Sequence, residues 1–385
     1  MTADFQEIGH SGGRVTIQFG TNPETGARGY QLRWSHSRPV PASIIELYAL
    51  PQGIPLETVA AFGIGETIPP PSVPGAWLVM LCSDSTGQFG HHCPRCSNYW
   101  RSGPFPAFCP YCRLAAEPLA FLSGAQRAFI RQYCAVMAEG FKSGADGVFE
   151  IDMDAVADAV GVDTPKPAFY VSEQSQQHKF NCAECDEFND VIGRYVYCSK
   201  CGTRNDLDVL RKETIPAIRD SLNAGGRPED AIRNLVSAFD SFVAQYAKQL
   251  SALVPLTKVR QDKLVRKFHD FNDVVATFSG IFDIDLRSGI KPADAQFIAL
   301  EFHRRHVFEH NGGEVDEAYL RKSGDASVKL RQLIREDAGN AHRLLDLLAK
   351  VAANLHSGFH SLIPVRHEPI DWARKHGIAK AAVRR

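Results

Sequence analysis

Residues 93–96 read Cys-Pro-Arg-Cys and residues 109–112 read Cys-Pro-Tyr-Cys; residues 182–185 read Cys-Ala-Glu-Cys and residues 198–201 read Cys-Ser-Lys-Cys. In both sets twelve residues separate the two Cys-x2-Cys pairs, so eight of the ten cysteines fall into two copies of one pattern. A tetrahedral metal needs four thiolates from two tight turns, and Cys-x2-Cys lets one turn present two sulfurs to one ion. The spacer is long enough for a short hairpin. A proline fixes φ in each turn of the first set, and Gly202 follows Cys201 where the chain bends back. The spacing predicts two zinc ribbons holding two structural zinc ions, with Cys93, Cys96, Cys109 and Cys112, and Cys182, Cys185, Cys198 and Cys201, as ligands. It leaves open whether each ion draws on one ribbon or on interleaved pairs.

Iron in a rubredoxin-like site is the metal alternative, since all-thiolate tetrahedral sites accept it. Disulfides are the other. The N-terminal stretch Met-Thr-Ala-Asp-Phe-Gln-Glu is unlike a signal peptide, and a chain of 385 residues has no need of covalent staples. A reducing, cytoplasmic setting is therefore expected. The two remaining thiols, Cys82 and Cys134, sit in apolar surroundings and read as small buried hydrophobes rather than nucleophiles.

With 44% hydrophobic and 23% charged residues, the chain has the composition of a globular protein with room for two or three domains. Its formal net charge of −1 argues against a general polyanion binder, although a local basic patch remains compatible with it. The longest apolar run, residues 76–82, is too short to span a bilayer, so no membrane partner is expected.

Proline divides the chain: 14 of the 22 occur by Pro118. Helix interiors avoid proline, so the first third should be strand and loop and the remainder helical. Val15, Ile17 and Phe19 alternate with polar residues, as do Tyr30, Leu32 and Trp34, which predicts a β-hairpin. A proline-rich connector over 69–75 precedes a further strand over 77–82, and residues 125–141 have helical spacing. Beyond Gly202, helices are predicted over 206–223, 228–252, 258–278, 292–311 and 338–360, with Pro228 and Pro292 in first turns. The acidic run from Glu150 to Asp158 lacks the glycine and closing glutamate of a calcium loop and reads as a solvated helix start. The glycine-rich pieces near Gly12 and Gly63–Gly65 lack a complete phosphate or dinucleotide fingerprint.

Residues 302–313 read Phe-His-Arg-Arg-His-Val-Phe-Glu-His-Asn-Gly-Gly. On a helix, Ala295, Ile298, Ala299 and Phe302 form an apolar stripe that continues through Arg305 and His306 and so turns cationic at its end. His310 lies one turn beyond His306, and Asn311-Gly312-Gly313 stops the helix with residues tolerant of positive φ. An arginine beside two histidines suits phosphodiester chemistry: imidazole titrates near neutrality, and guanidinium holds phosphate through paired hydrogen bonds. Two blander readings stand beside this one. The histidines could be solvated helix-end residues, and His303, His306 and His310 also have the i, i+3, i+7 spacing of a metal cluster.

Arg305-His306-x3-His310 resembles the Arg-x4-6-His motif of the HEPN superfamily. The continuation through Asn311-Gly312-Gly313, Asp316, Tyr319-Leu320 and Lys322-Ser323-Gly324-Asp325 is similar to the extended form of that motif in prokaryotic members. The resemblance covers residues 227–362. It implies an up-and-down helical fold, a homodimer in which two motifs meet, and a metal-independent endoribonuclease that uses the RNA 2′-hydroxyl as nucleophile. By matching position, Arg305 and His310 would be catalytic and His306 supporting. It also implies a setting in prokaryotic stress or anti-phage defence, with a protein partner or trigger. Many HEPN domains keep the fold as noncatalytic partners, so an adaptor that dimerises through the bundle is the alternative.

The first ribbon interleaves aromatic with basic residues: over 91–115 it holds three arginines and no acid, a charge of +3, alongside Tyr99, Trp100, Phe105, Phe108 and Tyr111. Such a surface could stack bases and track phosphates, or the aromatics could form the ribbon's own small core. The second ribbon, over 179–204, has four basic and four acidic residues and reads as structural or protein-facing. The whole is an α+β multidomain chain: a β-rich segment over 1–90, a double zinc-ribbon module with an intervening helix over 91–204, an all-α HEPN-like bundle over 205–365, and a basic tail over 366–385.

Overall fold

The alternation at the start of the chain becomes sheet. The structure, a computed structural model, describes residues 13–35, 43–59, 68–83, 86–142, 146–159, 176–264 and 268–377. Gly12, the Gly63–Gly65 piece and residues 378–385 of the expected tail lie outside the described residues. β1 (Arg14–Thr21) and β2 (Arg28–Ser35) form the predicted antiparallel hairpin, with Val15, Ile17 and Phe19 opposite Trp34, Leu32 and Tyr30. β3 (Ile44–Ala49), β4 (Pro55–Thr58) and β5 (Trp77–Cys82) make a second antiparallel sheet in the order β4-β3-β5.

β6 (Phe89–His92) and β7 (Tyr99–Ser102) belong to the first cysteine set. After a short 3-10 turn, Pro118–Phe121, comes α1 (Gly124–Lys142). β8 (Gly147–Asp152) then pairs with the free edge of β1, and α2 (Met153–Asp158) follows. The acidic run is thus half strand and half helix. The helix begins only at Met153, because Asp152 adopts extended backbone and its carboxylate accepts from the backbone N–H groups of Asp154 and Ala155.

The inward faces of β1, β3 and β5 and one side of α1 share a core through Val15, Ile17, Leu47, Val79, Phe129, Ile130, Tyr133 and Met137. Cys134 joins that core, and Cys82 is buried as well. Burial pushes the Cys134 thiol up to about 12, leaving it a protonated small hydrophobe.

The second cysteine set lies on β9 (His178–Asn181) and β10 (Phe188–Val191). Beyond it, α3 (Asp206–Asp208), a π-helical stretch Val209–Thr214 and α4 (Ile215–Asn223) run as one interrupted helix over the predicted 206–223. Pro216 has no N–H to give to the turn before it, and a π stretch is one way a helix absorbs such a lost bond. α5 (Pro228–Leu253) follows. The predicted helix over 258–278 is instead α6 (Lys258–Leu264) and α7 (Phe271–Phe282). The break is at Asp270, which takes extended φ and ψ and caps α7 by accepting from Asn272 and Asp273.

α8 (Pro292–His310), the unforeseen α9 (Glu317–Ser323) and α10 (Ala338–Leu362) follow. Asp316 caps α9, and Gly324 ends it at φ +63. α5 packs on α10 and α8 around Phe239, Phe242, Tyr246, Phe302 and Phe359, whose rings meet edge-on or tilted except for the stacked pair Phe239 and Phe242.

Two compact units result: residues 203–365, and residues 1–202 together with 366–385. The expected tail differs from its reading, since α11 (His367–Lys375) folds with the first unit. Pro369, Ile370 and Ala373 are buried there, Arg374 pairs with Glu184 at 2.9 Å, and the Arg366 N–H donates to the Cys201 carbonyl. Among the described residues no helix is long and apolar enough to cross a membrane.

Candidate functional site

Each Cys-x2-Cys turn is built the same way. Four residues beyond each first cysteine, the N–H groups of Ser97, Arg113, Asp186 and Gly202 donate to the carbonyls of Cys93, Cys109, Cys182 and Cys198 at 2.8–3.0 Å. All four residues have positive φ, at 58°, 56°, 60° and 77°. Three of them carry side chains in a conformation that costs about 1–2 kcal/mol, so the turn is imposed by what it holds rather than by residue preference.

The eight sulfurs gather as two groups, each drawn from one ribbon: Cys93, Cys96, Cys109 and Cys112, and Cys182, Cys185, Cys198 and Cys201. This settles the pairing the spacing left open. Sulfur–sulfur separations are 3.6 and 3.7 Å in the first group and 3.6 Å in the second. A regular tetrahedron with metal–sulfur bonds of about 2.3 Å has an edge of about 3.8 Å, so both groups have the span of a four-thiolate site. All ten cysteines are free of disulfides. Burial pushes the Cys109 thiol up, and a cation among the sulfurs is what would offset that. Among the described residues these are the two groups of ligating side chains close enough to share an ion, so His303, His306 and His310 do not form one.

The two ribbons are one body. β7 pairs antiparallel with β10, giving the sheet β6-β7-β10-β9, and Arg101 lies opposite Asp190 in that register. Their side chains form a buried ion pair at 2.8 Å. The second turns also exchange backbone bonds, with Ala107 and Phe108 donating to Ser199 and Tyr197 donating to Pro110.

This join corrects the reading of the first ribbon as an aromatic, cationic surface. Trp100 and His91 are buried, Phe108 packs under Gly202, and Arg113 stacks on Phe108 and Tyr197 with ring distances of 5.0 and 5.7 Å. The Tyr111 hydroxyl donates to the Tyr99 carbonyl, and burial lowers His91 to about 4. Of the proposed stacking set, Arg95 and Phe105 remain exposed. The alternative reading, a small core of the ribbon's own, is the one the structure matches: Trp100 packs with Phe121 at 5.3 Å and with Val191 and Val196 of the second ribbon.

At the end of α8 two of the predicted residues, His306 and His310, lie side by side. The rings of His306 and His310 lie 4.7 Å apart, both exposed. Burial on one side, the neighbouring His310 and the charges of Lys322 and Arg305 lower His306, partly opposed by Asp316. Arg305 is half-buried; its Nη2 reaches the Ser237 hydroxyl at 3.4 Å, and its Nε has no partner. Glu309 forms no ion pair with it among the described residues. Asn311 donates to Asp316 at 2.7 Å, tying the stop of α8 to the cap of α9.

Sequence reasoning missed what lies behind this end. Arg304 is held by three carboxylates: Glu336 at 2.8 Å, Glu301 at 3.3 Å and Asp325 at 3.4 Å. The side chains of those acids are 0–4% exposed. Tyr319 donates to Asp325 at 2.6 Å. Burial, reinforced by the Glu336 carboxylate, pushes Glu301 up to about 8 against the pull of Arg304. Burial works in the same sense on Asp325, but bonds from Ser327 and Tyr319 and the Arg304 charge bring it down to about 2. The signal was an acid three positions before an arginine, on the far side of the helix from the histidines. The network locks α8 to the turn after α9 and to the start of α10, and thereby fixes where Arg305, His306 and His310 emerge.

Neither a family model, nor a characterised protein, nor a solved structure matches this chain.

Proposed function

We propose that the chain is a metal-independent endoribonuclease of the HEPN type, acting as a cytoplasmic homodimer, with zinc in both four-cysteine groups as structural ions. The observation that carries this reading is the contrast between adjacent arginines. Both terminal nitrogens of Arg304 meet buried carboxylates, at 2.8–3.4 Å, whereas Arg305 makes a single 3.4 Å contact among the described residues, with the Ser237 hydroxyl, on the helix end that carries two exposed imidazoles.

In this mechanism Arg305 holds the scissile phosphate through its guanidinium. The RNA 2′-hydroxyl attacks phosphorus, a base removes its proton, and an acid protonates the departing 5′-oxygen, giving a 2′,3′-cyclic phosphate and a 5′-hydroxyl. His310 serves as one of these groups. His306, biased toward its neutral form by partial burial and then by its cationic surroundings, supports it. With Trp100, His91 and Phe108 of its first ribbon turned inward, the double ribbon serves chiefly as scaffold.

Purified protein incubated with single-stranded RNA in excess EDTA, beside Arg305→Ala and His310→Ala, tests this. Cleavage by the parent, ending in cyclic phosphate and reduced about 100-fold or more in each variant, is expected. Absence of cleavage by the parent, or equal cleavage by all three proteins, overturns it and leaves the noncatalytic adaptor.

A further inference from the structure

Past the end of α8, a cavity of about 250 Å³ opens on the side of the bundle formed by the start of α5 and the segment before α10. It contains none of Arg305, His306 or His310. Three guanidiniums line it: Arg227 and Arg233 from the start of α5, and Arg335 from the segment before α10. Two acids accompany them, which leaves a net charge of +1. Glu229 pairs with Arg227 at 3.6 Å, and Asp230 pairs with one nitrogen of Arg233 at 2.5 Å.

Each of these pairs uses only part of a five-donor fork, so it orients the guanidinium without exhausting it. Arg335 has no side-chain hydrogen bond or ion pair among the described residues. Phe308, Leu333 and Ile334 supply the apolar part of the lining, and Leu333 is 52% exposed. Gly312 and Gly313, at φ +60 and +91, carry the chain along the rim without side chains.

Guanidiniums lining one cavity match the oxygens of a phosphate, and the apolar residues beside them match a base or sugar face. The volume lies below the roughly 300–1,000 Å³ of sites for drug-sized ligands, so the space suits one nucleotide unit rather than a length of chain. We propose that this cavity binds the phosphate of a single nucleotide, supplied either by a free nucleoside monophosphate or by the 5′-phosphorylated end of an RNA. The proposal is independent of cleavage.

Binding to the full-length protein, measured by calorimetry, tests it. The probes are adenosine and guanosine 5′-monophosphates, the two nucleosides, and a hexanucleotide RNA with and without a 5′-phosphate, the RNA arms on His310→Ala so that nothing is cut. At least one phosphorylated probe should bind tenfold or more tightly than its unphosphorylated counterpart. Arg335→Gln, at an exposed position, should weaken that probe about tenfold, the loss of one charge-assisted pair, and Arg233→Gln should weaken it likewise. Binding of the monophosphates alone assigns a free nucleotide, and binding of the RNA alone assigns a chain end. If no probe prefers its phosphorylated form, or if both arginine variants with unchanged circular dichroism bind as the parent does, the proposal is overturned. A protein that binds nucleotide but cuts no RNA would sink the ribonuclease reading while leaving this one standing.

Discussion

Arg101 and Asp190, 89 positions apart, meet at 2.8 Å across the seam of the two ribbons with side chains only 7% and 0% exposed. The same carboxylate oxygen also accepts the Gln176 N–H at 3.0 Å. A charge taken this far from water is tolerated only while its partner stays.

Asp190→Ala should therefore cost about 3–5 kcal/mol of stability, because it strands the buried Arg101 charge. Replacing both residues with well-packed apolar side chains should recover much of that loss. Denaturant unfolding of the two variants checks this, and a single variant as stable as the parent would refute the seam.

Freshly purified protein should carry two metal ions per chain by mass spectrometry, and both should be zinc. Cys185→Ser should remove one equivalent and leave the other, since each group takes all its sulfurs from one ribbon. Loss of both ions together would contradict independent sites.

Arg304 and Arg305 should fail in different ways. Arg304→Gln leaves buried carboxylates without their counter-charge and should destabilise the bundle by about 3–5 kcal/mol. Arg305→Gln breaks one long hydroxyl contact, so it should unfold like the parent while losing RNA cleavage. Thermal melts run beside the cleavage assay separate the two; a stable Arg304→Gln protein would show that the network is not structural.

Glu301 sets a pH dependence of known sign. Its folded-state value of about 8 lies above the ordinary carboxylate value, so the folded chain keeps a proton that the unfolded chain gives up. The associated stability is complete below about pH 4.5 and is lost as pH rises toward 8. Glu301→Gln should flatten that decline and stabilise the protein at pH 8 relative to the parent. Melting curves across pH 4.5–9 measure it, and parallel curves for the two proteins would show that Glu301 is ionised in the fold.

Much of the local structure was legible because its causes are local. Alternation at Val15, Ile17 and Phe19 marked the hairpin, and Pro228 and Pro292 marked helix starts. The helix over 258–278 was misread as continuous, since apolar spacing carries across Asp270 while the cap that divides it depends on one carboxylate turning back on two N–H groups. The tail resisted reading for another reason. The apolar face of α11 is short, and its partner surface lies far back in the chain.

The sequence by itself determined which sulfurs exist and how they are spaced, and it placed Arg305, His306 and His310 on one helix end. Only the tertiary structure decided the rest: that each ribbon closes on its own four cysteines, that Trp100, His91 and Arg101 turn inward, and that of two adjacent arginines one is bound and the other presented. Spacing fixes direction around a helix or along a strand. Burial and charge compensation depend on what packs there, and for Arg101 that is a strand 89 residues away, for Arg304 a glutamate 32 residues away.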